Sequence, residues 1–548
     1  MEPRSISSAP QTVTTYSSDI DLEGAEWTPI GDYRFSANRF CGTFDGDGHT
    51  ISNFKITKKT DKNDSDKSAY GFFGNLSGVV KNLTIDGANI DASVKFAGVL
   101  VGRFNTCTCE DNVALIENCN VVNSSVAIQN WTVGALVGQY NDGKISGCTV
   151  EKCSVTGYSG VGGICGLALN EGERVIENCS VKDCEFIQNG NFGGVYDKLF
   201  GAVVGALYSG KLTVNLNGCK AEGNTFNGEA FDLFCGLAED GDVLYIDGAL
   251  CVYNESDLAA AINNGGNIVL GSNIELSKTI PISNADFAID GNGYTITQAA
   301  DCTNTYALFD ITGGKASFKN VKFDGISEGA VIRTVNVELT VDNASFVNGK
   351  HTQQQGLLRL MGKSTITNST FANNECNMVI TLNYDGANND PQVVDGCVFE
   401  NNTCNATAVV YYVKGAGATI NGNKFVGNTV NCNNNGATLY MGFTEGNVIT
   451  NNVFEENTVN ESSNSKRVAG AIMLGYEAVV SGNAFIDNKV TGTNAKGNDV
   501  CASVYYTDID LSGNYWGGEA PVENENYFVE YPDKNKVIIS DYLTSFGE

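Results

Sequence analysis

This 548-residue sequence has almost no histidine and little proline, with only His49, His351 and seven prolines. Two histidines so far apart exclude the H-E-x-x-H zinc helix of metallopeptidases. None of the 18 cysteines forms a C-x-x-C pair, which excludes ordinary zinc ribbons and thioredoxin-like motifs. No window approaches the roughly 18 apolar residues that a membrane-spanning helix needs. We therefore expect neither a helix-borne zinc site nor a membrane span in these residues.

Positive charge is also scarce, because 34 Lys and Arg stand against 63 Asp and Glu, for a formal net charge of −29. A surface of that sign repels nucleic-acid phosphates and anionic lipid headgroups. Residues 1–15 lack the apolar core of a signal peptide. We expect no nucleic-acid partner, and we expect any leader and anchor to lie outside these residues.

Glycine is abundant, with 63 residues, and Asn, Thr and Val are frequent, which favours strands over helices. A chain of 548 residues exceeds the size of a single hydrophobic core, whereas a solenoid grows by adding coils. The composition therefore favours an all-β repeat protein over a helical or doubly wound enzyme.

The second half repeats a short phrase about every 23 to 31 residues, as in ATINGNKFVGN and NVITNNVFEEN. Apolar and polar residues alternate within each phrase, which is the period of a strand with one buried face. One large aromatic recurs at Phe323, Phe346, Phe371, Phe399, Phe425, Phe454, Phe485 and Trp516. The repeat length predicts one coil of a parallel β-helix per phrase.

A small or amide side chain precedes that aromatic by two residues. It is asparagine at Asn423, Asn452, Asn483 and Asn514, and Ala344, Ser369 and Cys397 in earlier coils. The first half places Cys119, Cys148, Cys179 and Cys219 at the matching position. Amides at a sharp turn can hydrogen-bond along the stack and satisfy buried backbone groups. We predict an asparagine ladder in the second half and the same architecture in both halves.

Glycine-rich phrases such as AGVLVGRF and VGALVGQY alternate with the cysteine phrases of the first half. With Asp21-Leu22, Trp27, Pro29, the run from Gly42 to Thr50 and the run from Gly71 to Gly74, they resemble the GLUG-repeat regions of bacterial surface proteins over about residues 16–240. That resemblance implies an extracellular or cell-surface protein. Such regions occur in adhesins and in some immunoglobulin-degrading metallopeptidases, and the repeats carry no catalytic zinc site.

The second half, about 249–548, resembles a pectin-lyase-type right-handed β-helix of bacterial adhesin-like proteins, through DFAIDGNGYTIT at its start and SGNYWGG near its end. Both phrases indicate the fold of this half more strongly than its function. Between the halves, residues 256–264 predict a short capping helix with Ser256 as N-cap and Gly265-Gly266 as its stop. We predict two consecutive right-handed parallel β-helices, 1–248 and 249–548, with a C-terminal cap at about 521–548.

The cysteines allow two interpretations. Stacked pairs such as Cys148 with Cys179, and Cys153 with Cys184, fall within disulfide reach if neighbouring coils lie about 4.8 Å apart. Parallel side-chain directions favour the simpler alternative, in which most of them are small buried apolar groups.

The best candidate for a metal site is the insertion TDKNDSDKSAYG, in which Asp61, Asn63, Asp64 and Asp66 offer the oxygen ligands that calcium prefers. The loop lacks the glycine and distal glutamate of an EF-hand, and neighbouring lysines dilute its charge. A solvated loop is the stronger interpretation, so we expect no cofactor, with calcium as the alternative.

Tyrosines in the second half are candidates for ligand binding. They are Tyr411, Tyr412, Tyr440, Tyr505 and Tyr506, with Tyr384 and Tyr476 at comparable places. Neighbouring strand residues face opposite ways, so one ring of each adjacent pair should point outward and could stack on a sugar. The alternative is that the rings only cover the outer sheet or a subunit contact.

Enzymes also use this fold, and Arg359, between Leu358 and Leu360, is the one strand-borne candidate for the base of a lyase. No galacturonase-like N-T-D, D-D or G-H-G run occurs. An isolated outward arginine is more often a surface residue. The sequence thus favours an adhesin-like scaffold that binds a glycan or a host surface protein, ahead of a polysaccharide lyase or hydrolase and of a structural stalk.

Overall fold

The computed structural model describes most of the chain. The described residues are 13–15, 18–31, 39–57, 69–106, 114–129, 131–190, 199–303, 306–327, 329–350, 356–384, 390–442, 444–463, 467–492, 497–504 and 507–546. Within them the secondary structure is almost wholly β, with a single ten-residue helix. The chain divides into two compact units, Met1–Cys251 (unit 1) and Val252–Glu548 (unit 2). The division falls beside the predicted boundary at residue 248.

Unit 1 is a parallel β-helix with five short strands in each complete coil. The chain passes through sheets I to V in turn and then returns to sheet I one coil further on. Sheet I contains Val13–Thr15, Thr43–Asp45, Val79–Lys81, Leu115–Glu117, Lys144–Ser146, Gly172–Glu177, Leu212–Asn217 and Val243–Ile246. Sheet II contains Ile20–Asp21, Thr50–Ser52, Thr84–Asp86, Asn120–Val122, Thr149–Glu151, Ser180–Lys182 and Lys220–Glu222.

The other three sheets of unit 1 complete the coils. Sheet III contains Lys55–Ile56, Asn89–Ala92, Ser125–Ile128, Ser154–Gly157, Glu185–Gln188 and Thr225–Phe226, followed by the antiparallel strand Glu229–Ala230. Sheet IV contains Ala69–Tyr70, Phe96–Gly98, Thr132–Gly134, Val161–Gly162 and Phe200–Gly201. Sheet V contains Phe73–Leu76, Val101–Phe104, Val137–Tyr140, Cys165–Ala168, Val204–Leu207 and Cys235–Ala238. The strand Ala249–Val252 pairs antiparallel with Val243–Ile246.

The glycine-rich phrases of unit 1 allow the backbones of sheets IV and V to pack directly against each other. A Cβ added to Gly138 would lie 2.6 Å from the carbonyl oxygen of Ala97, and one added to Gly102 would lie 2.6 Å from the amide nitrogen of Tyr70. Gly166 and Gly205 meet neighbouring backbone in the same way. Only glycine fits where two backbones come this close.

Unit 2 is a second parallel β-helix, with four sheets. Two long strands, Ile280–Asp290 and Ala307–Lys319, run through both sheets VI and VII. Sheet VI continues with Ala330–Val335, Leu358–Leu360, Ile380–Leu382, Ala408–Tyr412, Gly436–Met441, Val468–Leu474, Val500–Ala502 and Tyr527–Val529. Sheet VII also contains Gly266–Leu270, Glu338–Asp342, Ser364–Thr367, Gln392–Asp395, Ala418–Asn421, Asn447–Thr450 and Ala478–Ser481.

Sheets VIII and IX close the coils of unit 2. Sheet VIII contains Ile274–Lys278, Thr295–Thr303, Lys322–Asp324, Ser345–Val347, Thr370–Ala372, Val398–Glu400, Lys424–Val426, Val453–Glu455 and Ala484–Ile486. Sheet IX contains Glu375–Cys376, Thr403–Cys404, Thr429–Cys432, Thr458–Glu461 and Lys489–Thr491. The strands Ile509–Asp510 and Val537–Ile538 pair with each other. The segment predicted as a cap, about 521–548, thus supplies two further parallel strands.

The helix α1 (Glu255–Asn264) forms where the sequence predicts it, but its N-cap is Asn254 and not Ser256. The side chain of Asn254 accepts a hydrogen bond from the amide of Asp257, at 2.9 Å. Gly265 ends the helix with φ 77°, as expected, whereas Gly266 already belongs to the next strand. Leu258 and Ile262 are buried on one face.

The repeated aromatics stack inside unit 2, as their spacing predicts. From Phe323 to Phe454, neighbouring ring centroids lie 4.6 to 4.9 Å apart, and the rings are close to parallel. Phe485 and Trp516 continue the column, at 5.7 and 4.6 Å. All these rings are nearly fully buried. The in-register pairing of sheet VIII sets this spacing, because it puts equivalent residues of successive coils side by side.

The predicted asparagine ladder is confirmed. Asn452 accepts two hydrogen bonds from Asn423, from its backbone and side-chain nitrogens, both at 2.9 Å. Its own amide donates to the carbonyl of Ile420 and to the side chain of Asn483, each at 2.9 Å. Asn514 extends the ladder beyond Asn483. The side-chain oxygen and nitrogen of Asn452 therefore both have hydrogen-bond partners at this buried corner.

A second ladder, which the sequence reasoning missed, lies at the next corner. It consists of Asn374, Asn402, Asn428, Asn457 and Asn488, five residues after the corresponding member of the first ladder. It ends at Asp499, whose carboxylate accepts from Asn488 and from Asn526, each at 3.1 Å. Burial of Asp499 raises the pKa of its carboxyl to about 6.

In unit 1, thiols take the place of the ladder amides. The backbone amide of Cys119 donates to Sγ of Cys148 at 3.5 Å, and that of Cys148 donates to Sγ of Cys179 at 3.4 Å. None of the cysteines in the described part of the chain forms a disulfide, and most are buried. Burial raises the pKa of the Cys148 thiol well above its ordinary value and that of Cys219 to about 12. These thiols stay protonated and act as small buried groups with a weak acceptor.

Replacing Asn452 by alanine should strongly destabilise unit 2. The change leaves a backbone amide, a carbonyl and two side-chain amides without their ladder partner inside the coil. Each unsatisfied buried group costs about 1 to 3 kcal/mol, so we expect a loss of roughly 3 to 5 kcal/mol in chemical denaturation. Asn405→Ala, which alters an exposed asparagine, is the control and should cost about 0.5 kcal/mol or less. Equal losses in both variants would contradict a structural role for the ladder.

Replacing Gly138 by alanine should disrupt the packing of sheet V on sheet IV, because the new Cβ would lie 2.6 Å from the backbone of Ala97. We expect a lower melting temperature, with a cost of roughly 1 to 3 kcal/mol for the forced overpacking. Thr156→Ala, at a half-buried outer position of sheet III, should leave the melting temperature nearly unchanged. An unchanged melt in Gly138→Ala would show that the two sheets separate at little cost.

Asp499 should make unit 2 less stable as the pH rises from about 4 to 7. The pKa of its carboxyl is about 6 in the folded chain against an ordinary value of 3.8, so the folded state binds the proton more tightly, and this advantage is lost as the pH rises from about 4 through 6. The shift corresponds to about 3 kcal/mol. Asp499→Asn should remove that slope in denaturation curves measured from pH 4 to 7.5. Asp510→Asn, at an exposed carboxylate, should retain it.

Candidate ligand-binding site

Sheet VI carries a continuous row of side chains on its outer face, one from each coil, which we call the outer row. In-register pairing joins Asp310, Arg333, Arg359, Thr381, Tyr411, Tyr440, Met473, Cys501 and Phe528. Paired residues of neighbouring strands lie on the same face of the sheet, about 4.8 Å apart. The row therefore passes from charged through aromatic to apolar side chains along one line.

The charged end of the outer row contains two adjacent arginines. Arg333 pairs with the carboxylate of Asp310 at 2.5 Å and donates to the hydroxyl of Tyr384 at 3.4 Å. The guanidinium carbon of Arg359 lies 3.9 Å from the centroid of the same tyrosine ring. The side chain of Tyr306, 64 % exposed, lies within 5.9 Å of the Arg333 guanidinium. Two guanidinium groups and two tyrosines thus meet at one partly exposed place.

Ion pairing keeps Arg333 firmly charged. Burial by itself lowers the pKa of the guanidinium, but the hydrogen bond and the negative charge of Asp310 outweigh burial and raise that pKa above its ordinary value. The cation is therefore permanent at physiological pH. A fixed cation beside aromatic rings suits an anionic or hydroxyl-rich ligand and does not suit proton transfer, which needs a group with a pKa near the working pH.

The aromatic middle of the outer row contains Tyr411 and Tyr440. Their rings meet edge to face, with centroids 5.1 Å apart. Tyr411 is partly exposed, whereas Tyr440 is only 4 % exposed and packs with Ala437 and Met473 in a buried apolar cluster. Burial raises the pKa of Tyr440 to about 12. Of these two rings, Tyr411 is the one that can contact a ligand.

Tyr412 faces the coil interior and is not available to a ligand. Its ring is fully buried, and its hydroxyl accepts a hydrogen bond from the amide of Gly417 at 3.0 Å. The expectation that one ring of each adjacent pair points outward holds for Tyr411 and Tyr412. Of the predicted ligand-binding rings, Tyr412 is buried in the coil interior and Tyr440 is buried in the apolar cluster, so neither ring is exposed in this structure.

Several other predicted positions lie elsewhere. Tyr505, Tyr506 and the loop residues Asp61, Asn63, Asp64 and Asp66 lie outside the described residues. Among the residues that are described, no three His, Cys, Asp or Glu side chains converge as metal ligands would. Tyr476 donates to Glu445 at 3.0 Å and lies beyond the strand that carries Met473.

A polar groove runs along the corner between sheets VII and VIII, away from the outer row. It is lined by Asp290, Asn292, Gly293, Asn320, Val321, Lys322, Asn343 and Ser345. Asn320 donates to Asp290 at 3.1 Å, and Asn343 donates to Asn320 at 2.8 Å. These contacts link the turns of successive coils and stabilise the corner. Because the polar groups of the groove already bind one another, we place the candidate site on the outer row.

Sequence reasoning singled out Arg359 and Tyr411, with Tyr384 as a comparable ring, but did not predict that Arg333 and Asp310 join them. Arg333, Asp310 and Tyr384 come together only through the stacking of coils. The signal that could have found Arg333 is the phrase AVIRTV, a strand-like run that contains an arginine, as LLRLM does for Arg359.

Comparisons with known proteins give two partial relatives. A protein named as a Gly-rich membrane protein of Evansella cellulosilytica is 35% identical over 104 residues, which are 19% of this chain and 10% of that protein. Halomucin of Haloquadratum walsbyi is 30% identical over 118 residues, which are 21% of this chain and 1% of that protein. The chain thus covers only a small part of either relative.

No protein-family profile matches the chain, and no solved structure matches it. In the part of the chain that the structure describes, none of the helices has the length and apolar character needed to cross a membrane. What is established is a repetitive, parallel β-helical protein with short stretches similar to two much longer proteins.

Proposed function

We propose that the protein is a cell-surface, adhesin-like scaffold whose unit 2 binds a glycan along the outer row of sheet VI. The observation that carries the proposal is the line of Arg333, Arg359 and Tyr411 at consecutive or nearby coil positions on a rigid sheet. Sugar-binding sites combine a ring for stacking with fixed hydrogen-bond donors, and this line supplies both. The names of the two partial relatives, a membrane protein and a halomucin, support a location at the cell surface.

A binding role accounts for the site better than catalysis does. Arg333 is held by Asp310 and Tyr384, and the guanidinium of Arg359 lies over the Tyr384 ring, so both cations are positioned by neighbours. Such an arrangement orients a ligand. A structural stalk needs no such row, so the loss of binding in row variants separates a binding scaffold from a stalk.

The test is a glycan array screened with the purified chain and with the variants Tyr411→Ala and Arg359→Ala. Each lost stacking or cationic contact is worth about 1 to 2 kcal/mol, so we expect affinity for the bound glycan to fall roughly tenfold or more in each variant. Tyr208→Ala is the matched control, because Tyr208 is a 47 % exposed tyrosine of unit 1 and its loss should leave unit 2 binding unchanged.

Two results would contradict the proposal. One is a wild-type chain that binds no glycan, or binds as well after both row substitutions, with unaltered melting curves. The other is turnover of an acidic polysaccharide, seen as a rise in unsaturated-product absorbance that Arg359→Ala abolishes, which would establish a lyase instead.

A further inference from the structure

Unit 1 carries a separate cluster of aromatic, cationic and polar side chains along sheets IV and V, some buried and some exposed, which we call the Trp131 patch. It consists of Lys95, Phe96, Arg103, Trp131, Thr132 and Gln139. Strand pairing aligns Phe96 with Thr132 in sheet IV and Arg103 with Gln139 in sheet V. The members of each pair therefore point to the same side, one coil apart.

Trp131 is the centre of the patch. Its side chain is 44 % exposed, which is unusual for so large an apolar group. The ammonium of Lys95 lies 4.3 Å from the indole centroid, within the range of a cation–π interaction. Part of the indole therefore faces solvent beside a positive charge.

A second cation completes the electrostatics of the patch. The Lys95 ammonium and the Arg103 guanidinium lie 5.7 and 5.9 Å from the centroid of the buried Phe96 ring. Lys95 makes no ion pair with any carboxylate of the described chain. The protein has a net charge of −29, so two cations that contact the same aromatic ring, one of them also over an exposed indole, make this part of the surface locally more positive.

Two buried polar atoms of the patch lack a hydrogen-bond partner. Oε1 of Gln139 and Oγ1 of Thr132 make no hydrogen bond, although the residues are only 4 % and 0 % exposed. An unsatisfied buried polar atom costs about 1 to 3 kcal/mol, and native proteins retain few of them. Both oxygens are enclosed by the protein, so they lie on the inner side of the patch, and a ligand from solvent does not reach them.

We propose that the Trp131 patch binds a single acidic sugar. The apolar face of a sugar ring stacks on the indole of Trp131. Its carboxylate pairs with Lys95 and Arg103. The combination of an exposed ring and two cations matches the apolar face and the carboxylate that an acidic sugar presents.

The charge of the whole protein favours a sugar with one negative charge over a polyanion. Screening at physiological salt limits electrostatic interactions to about 8 Å, so one carboxylate at the patch is influenced mainly by Lys95 and Arg103. A long polyanion would extend over the acidic surface of a chain with net charge −29 and be repelled. The ligand class is therefore a glycan with an acidic sugar at its end. The Trp131 patch adds a site to the proposed scaffold and does not depend on the outer row.

The test compares two probes that differ by one acidic sugar, sialyllactose and lactose, by isothermal titration of the full chain at low and at physiological salt. We expect sialyllactose to bind, lactose to bind at least tenfold more weakly, and the affinity for sialyllactose to fall as salt rises. Trp131→Ala and Lys95→Ala should each reduce that affinity about tenfold, whereas Lys95→Arg should retain most of it.

Matched controls keep the outcome clear. Tyr208→Ala removes another exposed ring of unit 1, and Lys182→Ala removes an exposed lysine of sheet II, and neither should change sialyllactose binding. Equal binding of lactose, binding that survives Trp131→Ala and Lys95→Ala with an unaltered melt, or no binding of sialyllactose would each overturn the inference.

The row variants Tyr411→Ala and Arg359→Ala separate the two proposals. If they abolish sialyllactose binding while Trp131→Ala does not, the acidic-sugar site lies on unit 2 and the Trp131 inference fails while the proposed function stands. If the row variants leave sialyllactose binding intact and Trp131→Ala removes it, the inference stands whatever the glycan array shows for the outer row.

Discussion

The stacking of identical positions along each unit depends on satisfying the polar groups buried at the coil corners. A coil that turns sharply exposes backbone amides and carbonyls to an apolar interior, where each unpaired group costs about 1 to 3 kcal/mol. Asn452 shows the solution, because its amide bonds to the coils before and after it and to a carbonyl. The aromatic column and the in-register sheets follow from this arrangement, since the ladder fixes which residue lies beside which.

The two units solve the same problem with different chemistry. Unit 2 uses two amide ladders, whereas unit 1 uses thiols such as Cys119 and Cys148 that accept backbone amides through sulfur. A thiol is the weaker acceptor but is smaller and less costly to bury. Unit 1 adds a backbone-to-backbone contact of sheets IV and V through glycines such as Gly138, which brings further apolar area out of water.

The same regularity makes the outer surfaces usable for recognition. Side chains at equivalent outer positions lie about 4.8 Å apart on a rigid sheet, so a binding group needs little ordering when a ligand arrives. The outer row of unit 2 holds Arg333 and Arg359 beside Tyr384 in this way. The Trp131 patch of unit 1 is arranged in the same way. Strand register there places Lys95 and Arg103 near aromatic rings.

The sequence alone determined the parallel β-helical fold, the aromatic column and the asparagine ladder, because each depends on a period that is visible in the chain, as at Phe425 and Phe454 or Asn423 and Asn452. Tertiary structure decided which outer residues meet and which stay accessible. Tyr440 is buried under an apolar cluster while Tyr411 is partly exposed, although both have the same place in the repeat. Likewise, Arg333 reaches Tyr384 two coils away, and Lys95 reaches Trp131 in the next coil. Such contacts depend on side-chain direction and on coverage by neighbouring segments, which no local pattern encodes.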